Sequence, residues 1–178
     1  MDESDKQELT PRELILREPT PQDAAWIWRL VRETGVLDHN SSYLYLLLCR
    51  DFSKSCIVAV DGLRVVGFIS GYRLPESPST LFVWQVGVSQ SARRRGIASR
   101  MLTALIANCQ KHAELEFMEA TVTADNQASR RLFKKYAEQH GLDLVEETGF
   151  TEADFGFGDH AAEPRLRIGP LNQRVTVP

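Results

Sequence analysis

Apolar positions along this chain recur with two different periods, and the switches between the periods mark out its elements. An apolar run at 14–16 reads as a strand, stopped by Pro19 and Pro21. Asp23 is placed to cap a helix whose apolar face comprises Trp26, Ile27, Leu30 and Val31, and Gly35 ends it. After a loop at 36–41, a Tyr- and Leu-rich helix is predicted over 42–49, well buried. Runs at 55–60 and 64–72 are rich in strand formers and separated by Asp61-Gly62, a hairpin signal, so they are expected to pair antiparallel. Beyond a loop at 75–79, residues 80–88 (TLFVWQVGV) are apolar on both faces, as at the centre of a sheet.

A helix over 96–112 then carries Ile97, Met101, Leu105 and Cys109 on one face. It is followed by a strand at 116–123, a helix from Asn126 to His140 ended by Gly141, and a strand at 143–147. Residues 149–164 are too glycine-rich and aperiodic for regular structure, and 165–169 read as a closing strand. The order strand, turn, helix, strand is a βαβ unit, so the fold expected is α/β, a mixed sheet with helices on both faces. One domain is expected over 13–169, with a flexible leader at 1–12 and a flexible tail at 170–178.

Composition narrows the function. The chain has 178 residues, 43 % hydrophobic and 25 % charged, with a net charge of -3, which suits one globular domain and argues against nucleic acid as a partner. Any anion site must therefore be local. Cys49, Cys56 and Cys109 are odd in number and show no CxxC spacing, so they read as reduced core thiols, with no metal site and no covalent nucleophile. The first residues lack the basic start and apolar run of a signal peptide, and no window reaches membrane-spanning length. A cytoplasmic location with no membrane partner is expected.

The first chemical signal is the turn RRRGIA at 93–98, which carries Arg-x-x-Gly-x-Ala between a central strand and a long helix. Unpaired N–H groups at a helix N-terminus form an anion site, and Gly96 lets an oxygen approach a backbone with no Cβ. Arg93, Arg94, Arg95 and Arg100 add charge that can meet phosphates, including the 3′-phosphate of CoA. No Gly-Lys-Ser/Thr follows and the glycine spacing is not that of a dinucleotide fingerprint, so nucleotide hydrolysis and hydride transfer lose ground. Asn126 opens the next helix, with Ser129, Leu132 and Phe133 at helical spacing.

This order of motifs resembles the GNAT superfamily of acyl-CoA N-acyltransferases across nearly the whole folded unit. The resemblance implies a mostly antiparallel sheet and acetyl-CoA as cosubstrate. It further implies that backbone groups of Val86 and Val88 receive the pantetheine arm, that Arg93, Arg94, Arg95, Gly96, Ile97, Ala98 and Ser99 hold the pyrophosphate, and that Asn126, with Ser129 and Phe133 after it, lies along the cofactor. Many relatives carry a tyrosine acid where this chain has Phe133; either Tyr136, one turn on, replaces it, or the thiolate takes its proton from solvent or from the amine.

Three further stretches, LDHNSSYLYLLLC with Asp38 and Tyr43, TLFVWQV with Trp84, and DHAAEP with His160 and Glu163, resemble the diaminobutyrate acetyltransferases of ectoine biosynthesis. That family acetylates the side-chain amine of L-2,4-diaminobutyrate and is expected to be homodimeric. The residue chemistry agrees: a substrate with two ammonium groups calls for carboxylates (Asp38, Glu163) and aromatic faces (Tyr43, Trp84), while His160 or backbone amides can meet its carboxylate. Acetyl transfer needs a neutral amine, and an alkylamine is about 99.9 % protonated at pH 7, a handicap of roughly 4 kcal/mol. Glu163 is the first choice of general base and Asp38 the second, with a backbone N–H near Val86 for the oxyanion. The alternatives are a related enzyme acting on a polyamine, ornithine or lysine, and a non-catalytic acyl-CoA sensor.

Overall fold

A computed structural model describes residues 13–35, 37, 40–156 and 160–172. Seven strands form one sheet: β1 (Leu14–Arg17), β2 (Cys56–Asp61), β3 (Arg64–Leu74), β4 (Ser77–Val88), β5 (Phe117–Thr121), β6 (Asp143–Phe150) and β7 (Glu163–Gly169). Their order is β1-β2-β3-β4-β5-β7-β6. The β4–β5 pair is parallel and every other pair antiparallel. Four helices complete the fold: α1 (Ala24–Thr34), α2 (Ser42–Asp51), α3 (Ile97–His112) and α4 (Gln127–His140). The expected mixed, mostly antiparallel sheet is therefore present.

Helices cover both faces because strand side chains alternate. On β2, Cys56 and Val58 join Ile27, Leu30, Val31, Tyr45 and Leu48 in a core under α1 and α2. Ile57 and Ala59, one step out of phase, join Met101, Leu102, Leu105 and Phe133 in a larger core under α3 and α4. Beyond β4, the second face changes character. Met118, Ala120, Leu166 and Ile168 enter the α3/α4 core, so Glu119, Thr121, Arg165 and Arg167 point the other way and make that face polar.

Several expectations need correcting. Trp26 is 44 % exposed, about 100° around α1 from the buried Ile27, with the Arg29 guanidinium 5.4 Å from its ring centre. Asp23 stands at the N-cap position but makes no side-chain cap to α1. It accepts instead from Arg17 and from the Thr20 backbone N–H at 2.7 Å. Burial pushes this carboxyl up, and Arg17 with the Thr20 donors more than reverses it, leaving it below the ordinary value. The second helix is only half buried: Tyr45, Leu48 and Cys49 face the core while Tyr43 and Leu46 face solvent. The loop expected at 75–79 is a tight turn at Pro75 and Glu76, with Leu74 already paired to Ser77. Residues 149–164 include the end of β6, a 3-10 turn at Glu152–Phe155 and the first residues of β7. Among the described residues, no helix is long and apolar enough to cross a membrane.

Candidate active site

Strands β4 and β5 run together only from Thr80–Phe82 against 117–119 and then part. From Val83 onward, β4 keeps its partner on the β3 side and has none on the β5 side among the described pairings. An open backbone edge therefore faces a cleft of about 840 Å3. The parting coincides with a bulge: Ser70 pairs with Gln85 and Gly71 with Val83, so Trp84 is an extra residue on β4. A bulge reverses the alternation. Before it, Leu81 and Val83 enter the α3/α4 core, and after it Val86 and Val88 pack against that same core. Trp84 itself is left in the cleft wall and is 41 % exposed, although it lies on a central strand. Tyr72 and Phe82, with ring centres 5.4 Å apart, continue the aromatic wall.

The polar face of β5 and β7 lies opposite this wall. Glu119 is almost fully buried there and is paired with Arg167, with Arg165 Nη1 3.7 Å away. Arg165 also donates to Glu147 from Nε and Nη2 at 3.1 and 2.5 Å. Glu163 differs in having no arginine partner among the described ion pairs. Its Oε2 accepts from the Thr121 hydroxyl at 2.6 Å, and its Oε1 lies 3.7 Å from His160 Nε2. His160 is stacked on Phe155 at 3.8 Å, with Nδ1 2.8 Å from the Ala161 carbonyl oxygen. The main chain at Glu163 is fixed by a second bulge, on β6 between Glu147 and Phe150. There a Cβ on Gly149 would lie 2.1 Å from the Glu163 carbonyl oxygen, so glycine is required for the close approach.

Among the residues expected at the site, Trp84, Val86, Asn126, Ser129, Phe133, His160 and Glu163 all line this cleft. Asn126 does double duty: its side-chain oxygen caps α4 by accepting from the Ser129 N–H at 3.1 Å. Tyr43 does not reach the cleft. It is 63 % exposed, and two residues along a helix from the buried Tyr45 amounts to about 200° of rotation, which points it away from the core. Asp38 lies outside the described residues. Tyr136 is buried between α4 and the core, stacked on His140 at 4.2 Å, and burial pushes its hydroxyl up to about 12. It does not line the cleft, so the replacement acid considered from sequence is not at the site. Cys49 is buried, and burial pushes its thiol up to about 12, as befits core packing.

Arg93, Arg94, Arg95, Gly96, Ile97, Ala98 and Ser99 form the turn and first helical turn beyond the open end of β4, outside the cleft lining, and Val88, the last residue of β4, is also outside it. Arg94 and Gly96 both adopt left-handed conformations, φ 63° and 70°, and left-handed residues are a component of the backbone turns whose N–H groups bind anions. Nothing lies within 4 Å of where a Gly96 Cβ would sit, so the space beside this backbone is open. Arg93 Nε reaches the Val88 carbonyl at 3.4 Å, and Arg95 is turned to Asp61 at 2.9 Å, leaving the Arg94 side chain without a described partner at the turn. These groups fit a diphosphate at the helix N-terminus.

Sequence reasoning missed Glu119, Thr121, Thr123 and Arg165, all of which line the cleft. The signal was a polar residue at every second position from Glu119 to Thr123 in FMEATVT, facing EPRLRIG with Glu163, Arg165 and Arg167 alternating in the same way.

Comparison with known proteins agrees with this geometry. The acetyltransferase (GNAT) family model matches residues 17–137. The L-2,4-diaminobutyric acid acetyltransferase of Streptomyces coelicolor is 44 % identical over 161 residues, covering 90 % of this chain and 95 % of that protein. That of Shouchella clausii is 42 % identical, covering 89 % and 88 %. Among solved structures, the diaminobutyrate acetyltransferase EctA from Paenibacillus lautus, in complex with its substrate L-2,4-diaminobutyric acid and coenzyme A, superposes with a TM-score of 0.84 at 43 % identity, covering 89 % of this chain and 96 % of the other. A parted β4–β5 pair, an anion turn at its open end and these relatives together establish that the chain belongs to the GNAT acetyltransferase family, in its diaminobutyrate acetyltransferase branch.

Proposed function

We propose that this chain transfers the acetyl group of acetyl-CoA to the 4-amine of L-2,4-diaminobutyrate, giving the N4-acetyl product and CoA, a step of ectoine biosynthesis. The observation that carries this reading is that Trp84, His160 and Glu163, far apart in sequence, line one cleft beside the open edge of β4. The charge balance supports it. Glu119 is balanced by Arg167 and Arg165 by Glu147, so Glu163, with no arginine partner among the described ion pairs, leaves the cleft a net negative charge that suits a substrate with two ammonium groups and one carboxylate.

Acetyl-CoA supplies the activated acetyl thioester. The backbone edge of β4 at Val86 and Val88 takes the pantetheine arm, residues 93–99 take the diphosphate, and Asn126, Ser129 and Phe133 form the opposite bank. Glu163 is the general base because Glu119 is already committed to arginines. Oε1 accepts a proton from the 4-ammonium, and the freed amine nitrogen forms a bond to the thioester carbonyl carbon. The oxyanion is met by a backbone N–H on the edge of β4 near Val86. Collapse breaks the C–S bond, and the second nitrogen proton ends on the thiolate sulfur directly or through solvent, since Phe133 has none to give. The Trp84 face meets the ammonium, and His160 meets the carboxylate.

Residues 13–169 act as one catalytic domain. We read the chain as a homodimer, supported by the apolar side chains that α1 and α2 leave exposed, Trp26, Tyr43 and Leu46. A cytoplasmic location is supported by the three unpaired thiols.

Turnover of acetyl-CoA should be fastest, by kcat/KM, with diaminobutyrate when compared against ornithine, lysine and putrescine. Putrescine equal to or better than diaminobutyrate would overturn the reading, as would CoA binding with no thiol release from any of the amines.

A further inference from the structure

We infer that Thr121 is a positioning residue for the reaction: its hydroxyl holds one oxygen of Glu163 so that the other, Oε1, is the proton acceptor. This rests on Glu163 being the general base. Thr121 ends β5 on the same face as Glu119 and stands opposite Arg165 of β7. Glu163 is two residues before Arg165 on β7, so its side chain shares that face and lies diagonal to Thr121. The Oγ1–Oε2 distance is 2.6 Å, within the range of about 2.5 to 2.7 Å for a hydroxyl donating to an ionised carboxylate. An ionised carboxylate only accepts, so the proton in this bond comes from Thr121.

The other oxygen is left open by the same arrangement. His160 places Nδ1 2.8 Å from the Ala161 carbonyl oxygen, which can only accept, so Nδ1 donates its proton there. Nε2, 3.7 Å from Oε1, lies beyond hydrogen-bond distance of it. Arg165 is occupied by Glu147 and Glu119, and Glu119 by Arg167. With the main chain of Glu163 pressed against Gly149, what remains loose is the terminal torsion of the carboxylate, which is broad in an unrestrained glutamate. Thr121 closes it. A β-branched side chain on a strand is itself stiff at χ1, so the donor is held as well.

The test uses the full chain with acetyl-CoA and diaminobutyrate. Thr121→Val keeps the shape and removes the donor; kcat at neutral pH should fall roughly ten- to a hundredfold, with KM for acetyl-CoA unchanged. Thr121→Ser should restore most of the rate. The deficit should narrow as pH rises toward about 10, where the free amine no longer needs a base. Wild-type kcat in Thr121→Val, or a Ser variant as slow as the Val variant, would overturn the inference; if Val impairs folding, Thr121→Ala gives the same readings. Glu163→Gln measured alongside separates the two levels. A slow Gln variant with a fast Val variant removes only the role of Thr121, whereas a fast Gln variant removes the base and Thr121 together.

Discussion

The two ends of the cleft are built on opposite principles. The anion end comes from one short stretch: the end of β4, the turn at 93–96 and the start of α3 are consecutive in the chain, and their donors are mostly backbone N–H groups. The acceptor end is assembled from four strands, with Trp84 from β4, Thr121 from β5, Gly149 from β6 and Glu163 from β7. A site made of backbone at a helix terminus tolerates change in its side chains, because the N–H groups stay. A site made of side chains across strands depends on register, since a slip of one residue sends every side chain to the other face. Cofactor binding should therefore be robust and local here, and acceptor chemistry sensitive and distributed.

Substitutions that strike one end and spare the other probe this division. The largest effect is expected from Glu163→Gln, which should lower kcat about 10²- to 10⁴-fold at pH 7 while leaving CoA affinity unchanged, with the deficit shrinking at high pH as the amine deprotonates unaided. Steady-state kinetics beside calorimetric CoA titration would show both halves, and a matching loss of CoA affinity would mean that the two ends are not separable. Next is Gly96→Asp, which places a carboxylate in the open space beside this backbone; the Kd for CoA should rise roughly a hundredfold, about 2.7 kcal/mol, with kcat at saturating acetyl-CoA little changed. Retained affinity would remove the diphosphate from this turn. The smallest effect belongs to Tyr136→Phe, whose hydroxyl is buried away from the cleft: kcat should stay within about twofold. A tenfold or greater loss would return Tyr136 to the role of acid for the leaving thiolate.

The legibility of the site followed the same division. RRRGIA could be read as an anion turn because everything that makes it one lies within six residues. Asn126 could be read both as a cap and as a cofactor neighbour, and it caps α4 and lines the cleft. Glu163, His160 and Trp84 were singled out by resemblance and by the charge of the amine, but nothing in the chain showed that they meet. Glu119 was overlooked: the polar alternation of β5 marks its face, but nothing in the sequence says which arginines neutralise it. Trp26 was assigned to packing by residue type, and it faces solvent. Residue type is a weaker guide than angular position when a helix is buried on one side only.

The sequence by itself determined the order and kind of the elements, the βαβ unit and the anion turn, because each follows from periodicity or capping among neighbours a few residues apart. Only the tertiary structure decided which carboxylate is available. Strand β7, last in the chain, pairs with β5 on one side and β6 on the other. That placement sets Arg167 and Arg165 against Glu119 and sets Glu163 beside Thr121. Strand order and register are non-local, fixed by which faces must be buried together, so the difference between a neutralised glutamate and a free one appears only once the sheet has closed.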